Sequence, residues 1–355
     1  MRWTSMGAGV FLFCLTHSLS ADENTSQARE VTKPGVLDSF YPPIQQGNRL
    51  WISADLLYFL PDEGSIAMTN EKTDLFTTAN VTQEPVVEPH FEWDFGYRIG
   101  FGYIFADRKW DVALNWTHFN THSTQHRSTH GDIGLGMFPI WSLSDDILPY
   151  DWVANAKMHW NLNLNLLDLD FGRSFCWGKV FFLRPFIGLR AAWIYQHINV
   201  EYGGGIFANG LNLPALDSTF GQDDITMKNN FFGIGPQLGI EPQINLGKGF
   251  RLYGSACGTA DYGFFDVHQK EIYLKNIRYD RDRYPNGFRW ILDASAGILW
   301  KTFCSKNRFA LTFQLGWEYH IFFDQVELKA DDFGLVSGNR NLILNGVDFS
   351  ARFDF

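Results

Sequence analysis

The sequence predicts an all-β protein, a transmembrane antiparallel up-and-down β-barrel of about ten strands with room for twelve. Three observations carry that reading: aromatic residues at every second position over long stretches, connections that alternate between short and long, and an apolar leader at the N-terminus. The first is plainest in FEWDFGYRIGFGYIFADRKWDVALNWTHF, residues 91–119. Phe91, Trp93, Phe95, Tyr97, Ile99, Phe101, Tyr103 and Phe105 share one parity, while Glu92, Asp94, Gly96, Arg98, Gly100 and Gly102 fall on the other. After a polar turn at 107–109 the alternation resumes with Trp110, Val112, Leu114 and Trp116. A period of two belongs to a strand with one greasy and one wet face. At about 3.3 Å per residue the first arm reaches roughly 50 Å, well beyond the five or six residues usual in soluble strands. Tilted by about 40°, it clears the roughly 25 Å apolar band of an outer-membrane barrel, which assigns its aromatic face to lipid.

The other staves follow in order. Arg49–Leu60 is the first, closed by Pro61 and followed by a long loop that ends at Pro89. Residues 120–155 form a second long loop. In Lys157–Phe171, Met158, Trp160, Leu162, Leu164 and Leu166 alternate with His159, Asn161, Asn163 and Asn165, and then the apolar phase moves to Leu167, Leu169 and Phe171. That change of phase predicts a β-bulge at Leu166–Leu167. Val180–Gln196 follows a short turn, and a Gly- and Asp-rich loop spans 201–228. Phe231–Leu246 contains Pro236 and Pro242, which cannot donate to a ladder. A tight turn at 247–249 leads to Phe250–Phe265, a charged loop to 267–287, and a hairpin of Phe288–Trp300 and Arg308–Phe323. A loop at 324–340 precedes the last strand, which ends at Phe355. Short connections thus alternate with long ones, as periplasmic turns and extracellular loops do in such barrels.

Composition and address agree. Aromatic residues are 17 % of the 355, yet mean hydropathy is only −0.16, as alternating apolar and polar positions require. Arg2, the apolar stretch Met6–Leu15 and Ser18-Leu19-Ser20 before Ala21 have the layout of a secretory signal peptide. The expected organisation is a signal peptide at 1–20, a periplasmic tail at 21–48 and the barrel at 49–355, placed in the bacterial outer membrane. A net charge of −10 argues against a nucleic-acid partner. It is compatible with an acidic exterior that meets anionic lipopolysaccharide through bridging cations.

The wet parity supplies candidate pore-lining residues: Asp94, Arg98, Arg184, Arg190, Glu241, Asp293, Glu318 and Arg352, with Asp55, His320 and Asp348 on the same face. Acids and bases facing one another across a lumen would set a transverse field that screens solutes by charge. The competing expectation is that they pair and plug the barrel, because ten strands leave little more interior than eight. His118, His122, His126 and His130 recur every fourth residue, the spacing that stacks imidazoles on a helix face for Zn or Cu. The Thr- and Ser-rich segment TQHRSTH favours a polar loop without metal. No cofactor is expected, and no nucleophile, base and orienter cluster in sequence, so no enzymatic activity is expected. Cys176 and Cys304 fall in periplasmic turns about four strands apart, too far for a mutual disulfide, which makes them candidates for links to other chains.

The chain stops on alternating aromatics, Phe349, Phe353 and Phe355, which resembles the C-terminal signal that engages the barrel-insertion machinery. WISADLLYFLPDEG, WDFGYRIGFGY and RPFIGLRAAWIYQ resemble the major-outer-membrane-protein-like proteins of Legionella and of chlamydia-related bacteria. The resemblance spans roughly residues 49 to 355 and implies an abundant outer-membrane barrel with porin or structural roles. Implied partners are outer-membrane lipid and lipopolysaccharide, self or other envelope proteins, and a host or matrix ligand if the long loops act as an adhesin. In the chlamydial relatives cysteines cross-link the envelope; this chain, with 4 cysteines, departs from that pattern.

Overall fold

The computed structural model of the protein describes residues 49–63, 66–70, 73–74, 86–106, 109–128, 135–137, 139–141, 152–206, 222–273, 275–304, 309–328 and 341–355. The expected signal peptide and periplasmic tail lie outside the described residues, as do the centres of the long loops.

Ten long strands form the wall: β1 (Arg49–Glu63), β2 (Asp94–Ile104), β3 (Trp110–Ser128), β4 (Trp152–Arg173), β5 (Phe181–Ile206), β6 (Gln222–Gly247), β7 (Phe250–Tyr273), β8 (Asn286–Cys304), β9 (Phe309–Phe322) and β10 (Leu342–Asp354). Each pairs antiparallel with the next, and β1 pairs with β10 from Trp51↔Asp354 to Glu63↔Leu342, which closes the barrel and removes its edges. Two short strands continue staves of the wall in register: Phe175–Trp177 carries β4 onward along β5, and Asn276–Arg283 carries β8 onward along β7. Among the described residues the barrel is therefore ten-stranded, and the described part of 120–155 adds no further pair of staves.

The outer parity is apolar around the ring. Phe95, Ile187, Leu238 and Trp290 are each at least 60 % exposed, which in water would be untenable and against lipid is required. Aromatic girdles bound this belt. Tyr58 stacks on Trp93 at 5.1 Å and Trp193 meets Phe232 at 5.4 Å on the long-loop side. Trp110 stacks on Phe171 at 4.9 Å and Phe309 on Phe353 at 5.5 Å on the short-turn side.

Several strands run well past the belt. β5 and β6 have 26 residues each, while β9 and β10 have 14 and 13. Much of the three expected loops at 120–155, 201–228 and 267–287 is therefore strand: β3 continues to Ser128, β5 to Ile206 and β7 to Tyr273. Polar residues populate these extensions because the wall there stands in water, not because the chain stops pairing.

The expected bulge at Leu166–Leu167 is absent. Pairing of β4 with β5 and with β3 runs through both residues without a shift. Met158, Trp160, Leu162, Leu164 and Leu166 all face the interior, and Asp168 and Asp170 continue on that same face. The apparent change of phase is a change of surroundings. Above the belt the barrel is dry inside and wet outside; within the belt it is wet inside and greasy outside. Pro236 and Pro242 are accommodated in β6 because its pairing with β7 skips 235–236 and 241–242.

At the lower end of the lumen the Trp51 ring lies across Gly102, where any Cβ would collide with it. Gly102→Ala is expected to cost about 1–3 kcal/mol as overpacking. Urea unfolding of the refolded barrel measures it, and a Trp51→Ala background should remove most of the cost. An equal cost in both backgrounds would point to a backbone effect instead.

Candidate functional site

The interior divides into two layers. The lower layer is a charged cavity of about 350 Å³. Its centre is an alternating chain of charges that starts on β4 and ends on β1. Arg190 donates from Nε to Asp168 Oδ1 at 2.6 Å and from Nη1 to Asp293 Oδ2 at 2.5 Å. His320 continues the chain, with Nδ1 2.7 Å from Asp293 Oδ1 and Nε2 3.0 Å from Glu318 Oε2. Both ring nitrogens face carboxylates, an arrangement that the imidazolium satisfies with two donors. Arg98 then donates to Glu318 through both terminal nitrogens, at 2.8 and 2.7 Å, and lies 3.5 Å from Asp55. The chain runs Asp168, Arg190, Asp293, His320, Glu318, Arg98, Asp55 and joins β4, β5, β8, β9, β2 and β1 across the lumen.

A second cluster stands beside it. Arg184 donates from Nε to Asp111 at 2.8 Å and from Nη1 to Glu241 at 2.9 Å, tying β5 to β3 and β6. Near the short-turn end, Asp354 accepts from Lys301 at 3.3 Å and from Arg352 at 2.7 Å. Charges in a confined space hold one another only if each is paired, since an uncompensated buried ion is expensive.

The upper layer is an apolar ceiling. Phe59, Phe119, Trp160, Ile194, Phe231 and Phe322 point inward from the strands, and all are at most 1 % exposed. Three loop segments fold in to meet them: Ile66–Met68, Ile140–Trp141 and Gln325–Leu328. Hydrogen bonds hold these segments to the wall. Tyr202 donates its hydroxyl hydrogen to the Met68 carbonyl at 2.7 Å and accepts from the Trp141 amide at 3.2 Å. The Trp141 indole donates to the Ala67 carbonyl at 2.7 Å. Asn229 donates to the Gln325 carbonyl at 2.8 Å and accepts from the Glu327 amide at 3.2 Å.

Seven of the eight candidate pore-lining residues, Arg98, Arg184, Arg190, Glu241, Asp293, Glu318 and Arg352, line the cavity. Asp94 does not; its carboxylate accepts from Thr121 at 2.6 Å near the ceiling. Sequence reasoning passed over Asp111 and Asp168, although each lies on the parity opposite its lipid-facing neighbours Val112 and Leu169. Phe349, Phe353 and Phe355 are on the outer face of β10 or just past its end, in a stacked row with Phe309 and Phe313. Cys176 sits in the short strand on β5 and Cys304 ends β8, while Cys257 faces the lumen.

His118, His122 and His126 lie on one strand, β3, and not in a loop. Four residues of strand separate neighbours by roughly 13 Å, so these imidazoles diverge where helical spacing would gather them. His130 is outside the described residues, and among the described residues no three His, Cys, Asp or Glu side chains gather as a metal site.

A family model described as the Legionella pneumophila major outer membrane protein precursor matches residues 43–355. No curated protein matches the chain. Among solved structures, the outer membrane protease OmpT from Escherichia coli is 13 % identical, with a TM-score of 0.37 and coverage of 86 % of this chain and 96 % of that one. A FadL homologue from Pseudomonas aeruginosa is 8 % identical, with a TM-score of 0.25 and coverage of 91 % and 94 %. The Ralstonia pickettii toluene transporter TbuX is 7 % identical, with a TM-score of 0.23 and coverage of 90 % and 93 %. At these values none of the three bears on what this chain does.

Proposed function

The chain belongs to the Legionella major outer membrane protein family, and from that premise we propose that it is a structural barrel of the outer membrane whose lumen is closed at rest. The observation that carries this reading is the ceiling: side chains from the wall strands and three loop segments fill the upper lumen with apolar groups bonded to one another. Beneath it, opposite charges meet across the barrel instead of lining a water column. Both features favour the plugged expectation over the small-solute porin, which would keep like or unpaired charges around a continuous opening. No catalytic role is proposed, since Arg98, Arg184, Arg190 and His320 are each held by carboxylates.

Single-channel recording tests this directly. The refolded mature barrel in a planar bilayer is expected to give no discrete conductance steps at moderate voltage. Discrete, salt-dependent steps from a correctly folded sample would overturn the closed reading and restore the porin, with Arg98 and Arg190 as its charge filter.

A further inference from the structure

The outer face of β3 to β7, above the aromatic girdle, is built in rows by the strand register. Trp193, Phe232 and Phe264 are successive cross-strand neighbours and mark the top of the lipid belt. One row higher the neighbours are Asn120, Asn163, Tyr195 and Asn230. The next row reads His122, Asn161, His197, Lys228 and His268 across the five strands. Above it come Thr124, His159, Asn199, Thr226 and Lys270. These last two rows hold four imidazoles and two lysines and no carboxylate.

With strands about 4.8 Å apart and same-face residues about 6.6 Å apart, the two rows cover roughly 20 Å by 7 Å. Allowing for strand tilt, they begin roughly 10 Å above the girdle. Acids sit at the margins. Asp266 lies on β7 in the row below, Glu201 holds Lys157 at 3.5 Å in the row above, and Asp224 is in that same upper row. Asp282 and Asp280, the cross-strand neighbours on the short strand that continues β8, hold His268 at 2.7 Å and Lys270 at 3.6 Å. The centre is left uncompensated: among the described residues no carboxylate lies within ion-pair distance of Lys228. His197 Nε2 is itself buried beneath this face and has no hydrogen-bond partner.

Amides on this face are already oriented. Asn165 donates to Asn163 at 2.8 Å, and Thr124 and Asn161 lie 2.8 and 3.0 Å from the two ring nitrogens of His159. The face is continuous with the lipid belt of the same strands. A lipid whose chains lie against Trp193, Phe232 and Phe264 would place its headgroup on this face. The long-loop side is the outward side, because both barrel termini lie at the short-turn side. Amides and hydroxyls suit a sugar, and the Lys228 ammonium, which no carboxylate among the described residues holds, suits a phosphate carried on it.

We infer that the outer face of β3–β7 around His122, His159, His197 and Lys228 binds the phosphorylated sugar headgroup of outer-leaflet lipopolysaccharide. Charge complementarity at Lys228 is direct here and needs no bridging cation.

The refolded barrel in detergent, with labelled lipopolysaccharide as probe, tests the inference by displacement titration. Lys228→Gln with His197→Gln is expected to weaken binding about tenfold or more, the loss of at least one charge-assisted bond. Dephosphorylated lipopolysaccharide should bind the parent as weakly as intact lipopolysaccharide binds the variant. His122→Gln, at an exposed position, supplies a second variant should the first fail to refold, and it should weaken binding in the same direction. Unchanged affinity in folded variants would overturn the site. Equal binding of dephosphorylated lipopolysaccharide, or displacement by phosphatidylglycerol at equal concentration, would overturn its chemistry. These readouts are independent of conductance, so failure here leaves the closed-lumen reading untouched.

Discussion

Glu318→Ala is expected to destabilise the refolded barrel by about 3–5 kcal/mol, the cost of leaving a buried partner unpaired. Glu318 is the node of the transluminal chain. It accepts two bonds from Arg98 at 2.8 and 2.7 Å and faces His320 at 3.0 Å, so its loss leaves Arg98 only Asp55 at 3.5 Å and Thr117 at 3.0 Å and strips one imidazole nitrogen of its partner. Arg98→Ala should cost a similar amount. The double variant should then cost clearly less than the sum, because the two charges share most of one interaction. Urea unfolding in a lipid or detergent host, followed by tryptophan fluorescence, measures all three. Additive losses would mean that the two residues are held separately and that no continuous chain crosses the lumen. Replacing the pair by Met and Leu should recover much of the stability, since well-packed apolar groups often match a buried ion pair.

Trp141→Ala addresses the seal. Trp141 is 1 % exposed, and its main chain and indole bond to Tyr202 and Ala67. Truncating a buried Trp commonly costs about 3–5 kcal/mol. Here the loss falls on inward-folded loop segments, which have far fewer ladder bonds than the wall. The ceiling should therefore loosen while the barrel persists. Discrete conductance steps are expected in this variant and not in the parent. A folded Trp141→Ala barrel that remains silent would move the seal from the ceiling to the charge chain beneath it.

Much of this was legible in one dimension. Phe95 to Phe105 on β2 and Phe309 to Phe323 through β9 name their lipid face by parity alone, because lipid and lumen alternate along a stave and only one tolerates rings. The even count and the alternation of short and long connections follow from the same constraint. β4 shows where parity stops informing. Its run from Met158 to Leu166 is as apolar as any lipid-facing row, yet it faces inward, and a bulge was the natural misreading. Parity tells which residues share a face; it does not tell which medium the face meets. The loops at 201–228 and 267–287 were misjudged for a related reason, since polar strands standing above a membrane look like loops by composition.

Sequence by itself therefore determined the barrel, its strand order, its membrane address and the parity of nearly every charged candidate. Tertiary structure decided which charges meet. Arg98 and Glu318 are 220 positions apart in the chain, and only closure of β1 on β10 brings β2 and β9 within a guanidinium's length. It also decided that the lumen is roofed, because the roof is assembled from wall strands and loop segments that share no local pattern. Alternation is written by the nearest neighbour along a strand. Pairing across a lumen is written by the curvature of the whole wall, which no window of sequence contains.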